Sequence, residues 1–280
     1  MKQNVGTLYV VATPIGNLAD ISQRAIDCLK QCDLIAAEDT RHSRKLLDNY
    51  GIATPMTALH EHNEAAASEK LISRLSHGEN IALISDAGTP LISDPGHRLI
   101  PLAIEAGITI SPLPGACAAT AALSAAGISP LPHWFEGFLP AKASERKKRL
   151  TELQTLPASL VFYEAPHRIS NSLANMSECL GEQRPACVAR EISKKFETFH
   201  RGTLAELAQH FDDSDDCRGE MVVIVEGNPT LSNSSTTNGE QLLTKLLEHL
   251  PVKVAAKITS DVTGEQKNEL YQLALKLKTR

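Results

Sequence analysis

Apolar runs of strand length alternate with amphipathic stretches of helix length along the first part of the chain. The runs TLYVVA, NIALIS and ITISPL alternate with helical patterns at 20–32, 64–77 and 97–106. Two of these helical patterns stop at a glycine, Gly78 or Gly107, and glycine is a common residue at a helix end. This alternation predicts a parallel or mixed sheet covered by helices, which is an α/β fold.

The second half of the chain carries a similar pattern. The strand-like runs SLVFYEAP, ACVARE and EMVVIVEG flank helical patterns at 167–180 and 203–211. We therefore predict two α/β domains of one architecture, residues 1–113 and 114–227, joined at the Pro/Gly-bearing segment LPGA (113–116).

The character of the sequence changes near residue 228. Residues 228–238 read NPTLSNSSTTN, an uncharged polar segment with little to bury, which predicts a flexible linker. Residues 239–280 predict a module of three short helices separated at Pro251 and at Thr263-Gly264. A module of this size is small for independent folding, so it is expected to need a partner surface or the main body.

Composition and charge narrow the class of protein. The chain has 280 residues and a formal net charge of −5, so any contact with nucleic acid must use a local basic patch. The six cysteines lack CxxC or zinc-type spacing, which predicts a reducing compartment and no metal site. No apolar run is long enough for a signal peptide or a membrane span, so a cytoplasmic protein is expected.

Four loops rich in glycine and proline follow predicted strands. They are TPIGNL, SDAGTPLISDPG, PLPGACAAT and YEAPHR. Such loops expose backbone N–H groups, and the loops after the strands of an α/β sheet are where ligands bind. None matches a P-loop or the GxGxxG dinucleotide motif, and the glycine-rich motif of ordinary Rossmann methyltransferases is also missing.

Taken together and in this order, the loops resemble the tetrapyrrole-methylase-fold (class III) S-adenosylmethionine methyltransferases, and within them the branch that acts on small-subunit ribosomal RNA. The resemblance covers essentially the whole chain through VATPIGNLADIS, AEDTRHS, SDAGTPLISDPG, PGACA, FEGFLP, YEAPHR, ARE and KNELYQLAL. It implies two α/β domains with S-adenosylmethionine in the cleft between them, a homodimer, and a small C-terminal helical module. The implied reaction is 2′-O-methylation of a cytidine ribose in the decoding region of 16S ribosomal RNA, within the small ribosomal subunit.

The resemblance also implies the cofactor-binding positions, all of which lie in these loops. They are Pro14, Gly16, Asp86, Gly88, Thr89, Pro90, Gly115, Ala116, Ala118 and Tyr163. The small-molecule members of the family carry a GxGxGD-like first loop where this chain has TPIGNLAD, and Gly-Asp-Pro where it has Gly-Thr-Pro. The first Ser-Asp turn of SDAGTPLISDPG fits the cofactor loop, and the second is expected to brace it or to face substrate.

Methylation of a hydroxyl needs a group that removes its proton. The candidates by residue type are Asp39, His42, Glu164 and His167, and the sequence does not choose among them. The alternative roles are a helix N-cap and surface ion pairs.

Seven basic residues are candidates for contacts with RNA phosphates. They are Arg41, Lys142, Arg146, Lys147, Arg149, Arg168 and Arg190. Four of them lie in PAKASERKKRL, where they spread over a broad helix face. The alternative for that segment is a merely solvated helix.

Two other functions compete with RNA methylation. One is C-methylation of a precorrin-like small molecule on the same fold, which the basic segment and the C-terminal module disfavour because a small substrate needs neither. The other is a ribosome-associated binding protein without catalysis, which the intact cofactor-type loops disfavour.

Overall fold

A computed structural model of the chain describes residues 5–94, 96–212, 215–228 and 239–278. The chain divides into two compact units. The first comprises Met1–Leu153 and Ser159–Glu226, and the second comprises Gln154–Ala158 and Gly227–Arg280. Residues 229–238 of the predicted linker lie outside the described residues.

The first half of the larger unit is built on a parallel sheet of five strands in the order β3-β2-β4-β1-β5. The strands are β1 (Thr7–Val11), β2 (Leu34–Ala37), β3 (Met56–Ala58), β4 (Ile81–Ile84) and β5 (Thr109–Leu113). The helices are α1 (Gln23–Gln31), α2 (Thr40–Asn49), α3 (Glu64–Ser76) and α4 (Leu99–Glu105). Both β2 and β4 are buried along their whole length, as short runs of continuous apolar residues predict.

Alternate residues of the central strands pack on opposite faces of this sheet. Ala82 and Ile84 join a core with Leu29 of α1, whereas Ile81 and Leu83 join a core with Leu71 of α3. This two-residue alternation explains why helices cover both faces.

The second half of the larger unit is built on a mixed sheet in the order β6-β7-β10-β8-β9. Its strands are β6 (His133–Phe138), β7 (Ser159–Glu164), β8 (Pro185–Arg190), β9 (Thr198–Thr203) and β10 (Met221–Val225). Its helices are α5 (Ala118–Ala125), α6 (Ala143–Leu153), α7 (Ile169–Leu180) and α8 (Leu204–His210). Strand β6 runs parallel to β7, while the other three neighbouring pairs are antiparallel.

The second half therefore repeats the predicted α/β architecture, a sheet covered by helices, but its strand directions differ from those of the first sheet. The apolar runs located β7, β8 and β10 correctly, but an apolar run carries no information about strand direction. The last strand, β10, inserts antiparallel between β7 and β8.

The loops that follow parallel strands share one edge of the first sheet. Strand β2 lies beside β4, and the chain leaves β2 towards β3 but leaves β4 towards β5, in the opposite direction. The connections thus diverge between β2 and β4, which creates a crevice at the carboxyl ends of these strands, where open α/β sheets bind ligands.

The smaller unit contains the three predicted helices, α9 (Gly239–Leu247), α10 (Val252–Thr263) and α11 (Lys267–Lys278). Its own apolar core consists of Leu243, Ala255, Ala256, Leu270 and Ala274. Pro251 precedes α10 and Gly264 ends it with a left-handed backbone (φ +73°), so both predicted separators are correct. Across the described ranges, no helix combines the length and apolar character needed to cross a membrane.

Candidate cofactor and catalytic site

A cavity of about 360 Å³ lies between the carboxyl edge of the first sheet and strands β7 and β10 of the second. Its walls are largely apolar, with polar groups at a few positions. The apolar walls include Ile15, Ile92, Phe138, Ile192 and Val222, and the polar groups include Glu38, Asp86, Asp94 and Tyr163. Cavities of this size and mixed character are typical of sites for small ligands and cofactors.

The loops after β1 and β4 are joined at this edge of the sheet by backbone hydrogen bonds. The N–H of Thr13 donates to the carbonyl of Gly88 at 2.9 Å, and the N–H of Gly88 donates to that of Thr13 at 3.1 Å. The Thr13 hydroxyl also donates to the carbonyl of Ser85 at 3.1 Å. Gly88 has φ +84°, a conformation that favours glycine, and it lies in the cavity wall. The loop that carries Asp86 and Thr89 is thereby fixed to the end of β1.

Two carboxylates in the cavity wall are held by backbone N–H groups. Asp86 accepts from the N–H of Asp39 at 3.1 Å, and Glu38 accepts from the N–H of Asp86 at 3.3 Å. Burial raises the pKa of the Glu38 carboxyl, and the negative charge of Asp86 adds to this effect. The ends of β2 and β4 therefore present a paired acidic surface to the cavity.

A third carboxylate, Asp94, comes from the second Ser-Asp turn. It lies in the wall of the cavity, and burial raises its pKa to about 6. Burial is the largest contribution to this value, a hydrogen bond from Ser85 lowers the pKa, and the nearby charges of Glu38 and Asp86 raise it. A carboxyl with such a pKa can exchange a proton near neutral pH.

Strained backbone borders the cavity at two loops. Within the described ranges, the non-glycine residues with positive φ are Leu91 (75°), Ser93 (81°), Glu191 (53°) and Ser193 (67°). Each pair flanks one isoleucine of the cavity wall, Ile92 or Ile192. Positive φ costs free energy for residues with a side chain, and it tends to occur at functional sites. The strained backbone here is associated with the positions of Ile92 and Ile192 in the cavity wall.

The loop after β1 also contacts the loop that follows β8. The hydroxyl of Ser193 donates to the carboxylate of Asp20. A Cβ atom at Gly16 would collide with Cγ of Lys194, so these two loops touch without space for a side chain. Lys194 is itself held by Glu191 at 2.9 Å and Glu220 at 3.0 Å. One border of the cavity is thus formed jointly by the two halves of the unit.

The predicted cofactor residues fall into two sets. Asp86, Gly88, Thr89, Ala118 and Tyr163 line the cavity, whereas Pro14, Gly16, Pro90, Gly115 and Ala116 do not. From the loop after β1 it is Ile15 that enters the wall, and from the loop after β5 it is Cys117.

Two of the lining residues are fixed by contacts with neighbouring loops. The hydroxyl of Thr89 donates to the carbonyl of Ala116 at 3.0 Å, and that of Tyr163 accepts from the N–H of Ala119 at 3.3 Å. The Tyr163 ring meets Phe135 edge to face, with 5.0 Å between the ring centroids. The aromatic wall of the cavity is therefore held rigidly.

The four predicted proton acceptors are less well placed than Asp94. Glu164 lines the cavity, but its oxygens accept from Ser172 Oγ at 2.5 Å and from the N–H of Ala165 at 2.9 Å. Its Oε1 also pairs with Arg168 Nε at 3.2 Å. Glu164 thus anchors the end of β7.

Asp39 serves as the N-cap of α2. It accepts from the N–H of Arg41 at 2.8 Å, and hydrogen bonds from the Arg41 side chain lower the pKa of its carboxyl. His42 and His167 are exposed and do not line the cavity. The sequence missed Asp94 as a candidate, although the repeated Ser-Asp turn was the signal that could have identified it.

The structure contradicts the prediction that Arg146 faces RNA. Its side chain is buried, with Nε donating to Asn175 at 2.9 Å and Nη1 donating to the carbonyl of Ala141 at 3.1 Å. Helix α6 turns this residue towards α7, because residues 146, 150 and 153 form its buried face. Arg146 is a structural residue.

Three other predicted RNA-binding arginines make contacts within the protein. Arg149 holds Glu136 through two hydrogen bonds of 2.6 and 2.8 Å. Arg168 donates to the carbonyl of Leu139 at 2.5 Å, and Arg190 donates to that of Arg218 at 2.7 Å. These arginines brace loops around the second sheet.

The remaining predicted RNA-binding residues reach the surface. Arg41 is 91% exposed at its side chain and lies 3.3 Å from Asp39. Lys142 is 72% exposed, and Lys147 is half-exposed and pairs with Glu178 at 2.6 Å. Lys148, between the paired residues of α6, is exposed.

Comparison with known proteins supplies the family. The sequence profile of the Tetrapyrrole (Corrin/Porphyrin) Methylases matches residues 7–208, and that of the RsmI C-terminal HTH domain matches residues 233–278. A Pseudomonas aeruginosa protein named Ribosomal RNA small subunit methyltransferase I is 52% identical over 275 residues, covering 97% of this chain and 98% of that protein. The Escherichia coli O157:H7 protein of the same name is 48% identical over 271 residues, covering 96% and 95%.

Solved structures share the fold at low identity. Uroporphyrin-III-C-methyltransferase from Thermus thermophilus superposes with a TM-score of 0.55 at 18% identity, covering 82% of this chain and 98% of that one. A diphthine synthase superposes with a TM-score of 0.59 at 14% identity, covering 79% and 90%. One structure of the Thermus enzyme is a complex with S-adenosyl homocysteine. The profile match over most of the chain and the full-length relatives show that this chain belongs to the tetrapyrrole methylase family, and its methyl donor is S-adenosylmethionine.

Proposed function

We propose that this protein transfers a methyl group from S-adenosylmethionine to the 2′-oxygen of a cytidine ribose in the decoding region of 16S ribosomal RNA. The observation that carries the proposal is the identity of about half of all positions with relatives named Ribosomal RNA small subunit methyltransferase I, over nearly the whole chain. The ribose oxygen, the cytidine and its place in the decoding region come from the resemblance of the loop motifs.

The cavity fits the cofactor in size and in chemistry. When bound, S-adenosylmethionine supplies an activated methyl group on a positively charged sulfur. Apolar walls such as Ile92 and Val222 suit a flat base, while Glu38 and Asp86 bring negative charge that suits the positive sulfur and amine. Gly88 and Thr89 would approach the ligand with backbone, because the Thr89 side chain is already bonded to the carbonyl of Ala116.

Asp94 is the residue best placed to accept the proton of the ribose hydroxyl. Methyl transfer would join the ribose oxygen to the methyl carbon while the methyl–sulfur bond breaks and leaves its electron pair on the sulfur. The hydroxyl proton would pass to a carboxylate, which requires an ionised group in the cavity. Asp94 is ionised above a pKa of about 6 and is still basic enough to take a proton. Positioning of the two reactants supplies the remainder of the rate enhancement.

Exposed basic residues outside the cavity would hold the ribosomal RNA. Arg41 follows the acidic end of β2, Lys142 directly precedes α6, and Lys147 and Lys148 lie in α6. Long cationic side chains contact phosphates without reading sequence. Because the chain is acidic overall, we expect it to need the shaped surface of the small subunit as well as phosphate charge.

Two rival functions remain as outcomes of the test. A precorrin-like tetrapyrrole would have to share a cavity of about 360 Å³ with the cofactor, which leaves little space for a large ring. It would also give no role to the C-terminal module. A ribosome-associated binder without catalysis would not require a cavity with paired carboxylates and strained walls.

The protein is further proposed to act as a homodimer in the cytoplasm, where ribosomal subunits are assembled. The edge strand β6 exposes Trp134, and Leu131 just before it is exposed as well, two large apolar side chains that a second copy would cover. Light scattering at micromolar concentration measures the dimer directly, and a monomer mass would contradict this part of the proposal.

The decisive experiment uses cofactor with a labelled methyl group and three acceptors: small subunits that lack the modification, naked 16S ribosomal RNA, and a uroporphyrinogen-type tetrapyrrole. We expect label in the small subunits, mapped to the 2′-oxygen of one cytidine, and much slower transfer to naked RNA. Label in the tetrapyrrole alone would establish the first rival. Cofactor binding without transfer to any acceptor would contradict the proposed reaction.

A further inference from the structure

A cluster of metal-binding side chains lies outside the cofactor cavity, on the second sheet. We infer that His200, His210 and Asp216 bind one divalent transition-metal ion of the Zn²⁺ type. His200 is on β9, His210 is the last residue of α8, and Asp216 lies in a single turn of 3₁₀ helix, Asp215–Cys217, before β10. Three separate elements therefore converge on one point.

The distances in the cluster match the coordination sphere of zinc. One carboxylate oxygen of Asp216, Oδ2, lies 3.0 Å from His210 Nε2 and 3.7 Å from His200 Nε2. All three ligand atoms lie within 4.8 Å of one another. Ligands in a tetrahedral site with bonds of about 2.0–2.1 Å are separated by about 3.3 Å, a value between the two distances. Small side-chain rotations would complete the site.

The ring nitrogen of His200 supports a ligand at this point. His200 Nε2 is buried and has no hydrogen-bond partner among the described residues. At 3.7 Å, the Asp216 oxygen is too distant to serve as one. A buried ring nitrogen without a partner is costly, and a metal ion would use its lone pair.

The surroundings hold the two imidazole rings in place. Their centroids are 4.6 Å apart, and the Phe211 ring packs edge to face against both, at 5.2 Å from His200 and 5.0 Å from His210. Apolar packing of this kind orients metal-binding histidines and limits the access of water from one side. The side chains of His210 and Asp216 are 44% and 36% exposed, so the opposite side is open to a water molecule as fourth ligand.

The donor set selects the class of ion. Two imidazoles and one carboxylate suit Zn²⁺ and Co²⁺, whereas Mg²⁺ and Ca²⁺ prefer sites built from oxygen. The bound ion would fix the connection between α8 and β10. That connection continues through Arg218, whose carbonyl accepts from Arg190, to Glu220 in the cavity wall. The ion is therefore expected to stabilise this border of the cavity, without taking part in methyl transfer.

The test uses the full-length protein without an affinity tag, freed of metal by chelation. Co²⁺ is titrated and followed by its visible absorption, and Zn²⁺ is then added as a competitor. We expect the protein to bind one equivalent of Co²⁺ and to show the spectrum of a four- or five-coordinate site, without a thiolate charge-transfer band. Added Zn²⁺ should displace the bound Co²⁺. Mg²⁺ should not compete. The absence of a Co²⁺ spectrum, or displacement by Mg²⁺ as readily as by Zn²⁺, would overturn the inference.

Substitutions locate the site. His210→Gln and Asp216→Asn should each weaken Zn²⁺ binding at least about tenfold, as measured by calorimetry. His249→Gln, which removes an exposed histidine of the other compact unit, should leave Zn²⁺ binding unchanged. Zn²⁺ should also raise the melting temperature of the unsubstituted protein and not that of Asp216→Asn. If both site variants are folded by circular dichroism and bind Zn²⁺ as the unsubstituted protein does, the assignment is wrong.

Discussion

Gly115 packs directly against Ala12. A Cβ atom at position 115 would lie 2.8 Å from the Cβ atom of Ala12, which is closer than two carbon atoms can approach without displacement. Ala12 follows β1 and Gly115 follows β5, so this contact sets the spacing between two loops at the edge of the sheet. Gly115 does not line the cavity. Its lack of a side chain is therefore required by packing within the fold, whereas the sequence had suggested close approach to the cofactor.

Gly115→Ala is expected to destabilise the protein by about 1–3 kcal/mol, since the added methyl group overpacks a tight contact. The variant Ala12→Gly/Gly115→Ala exchanges the two side chains and removes the clash. Urea unfolding of the unsubstituted protein, both single variants and the double variant gives the coupling between the positions. We expect the double variant to be more stable than the sum of the single changes predicts. Simple additivity would show that the contact does not limit packing.

This contact illustrates what the sequence could and could not predict. Runs such as IALI and MVVIV located buried strands, and the stops at Gly78 and Gly107 located helix ends, because these signals are local. A glycine can be required because a ligand approaches its backbone or because a neighbouring loop packs against it. For Gly115 the deciding neighbour is Ala12, about 100 positions away in the chain, and no local sequence pattern shows that contact. The short strand Met56–Ala58 was missed for a related reason, since its pairing with β2 gives it strand geometry.

The candidate site was predicted in outline for the same physical reason. Loops after parallel strands must meet at one edge, and Asp86 from the loop after β4 lines one cavity with Ile15 from the loop after β1. That the cavity residues bind the cofactor stays a prediction. The partners of the ionisable groups could not be predicted. Glu164 is occupied by Ser172 and Arg168, while Asp94 is brought into the cavity by a strained loop. Glu164 and Asp94 differ because tertiary contacts determine which carboxylates already have hydrogen-bond partners within the protein.

Asp94 gives the reaction a predicted dependence on pH. If its carboxylate accepts the ribose proton, kcat/KM for small-subunit methylation should rise with pH through a midpoint near 6, the pKa of this group. Asp94→Asn should lower the single-turnover rate by about 10²- to 10⁴-fold and remove that dependence. Asp48→Asn, an exposed change on α2, serves as the control and should retain the full rate. A normal rate and pH profile for Asp94→Asn would remove this residue from the mechanism.

The raised pKa of Asp94 also predicts how the stability of the protein depends on pH. The pKa of Asp94 is raised from 3.8 to about 6 on folding, so the folded state favours the neutral acid. Below pH 4 the carboxyl is protonated in both the folded and the unfolded state, and the folded state has its full stability. As pH rises through 6, ionisation is less favourable in the folded state than in the unfolded state, so the free energy of unfolding decreases. Asp94→Asn should therefore gain stability relative to the unsubstituted protein on going from pH 4 to pH 8. Parallel stability curves for the two proteins in urea would contradict the raised pKa.

The exposed lysines in and directly before α6 should contribute affinity for the ribosomal particle through phosphate charge. Lys142→Gln/Lys148→Gln is expected to weaken binding of small subunits. It should also reduce the magnitude of the slope of log K, the binding constant, against log salt concentration by about one to two. Lys30→Gln/Lys70→Gln removes two exposed lysines from other helices and should leave both quantities unchanged. Cofactor affinity, measured by calorimetry, should be the same in all variants. An unchanged salt slope in the first variant would favour the solvated-helix interpretation of this segment.

The C-terminal helices are expected to act in substrate binding and not in cofactor binding. They have their own core around Leu243, Ala255 and Leu270, and they belong to a compact unit separate from the one that contains the cavity. Deletion of residues 239–280 should therefore leave cofactor affinity unchanged but weaken methylation of the ribosomal particle. The effect should appear as a higher KM for the particle, with kcat unchanged. The module carries exposed lysines at 253, 257, 267 and 276, which suit contacts with phosphates.

A charge variant of the complete chain distinguishes this role from simple stabilisation of the protein. Lys253→Gln/Lys257→Gln changes two exposed side chains of α10 next to the buried Ala255 and Ala256, without altering the core. If the module binds RNA, this variant should raise KM for small subunits in the same direction as the deletion, and the effect should shrink at high salt because phosphate contacts are screened. Its melting temperature should equal that of the unsubstituted protein. If instead the deletion lowers the melting temperature sharply while the charge variant methylates normally, the helices stabilise the catalytic body and do not bind RNA.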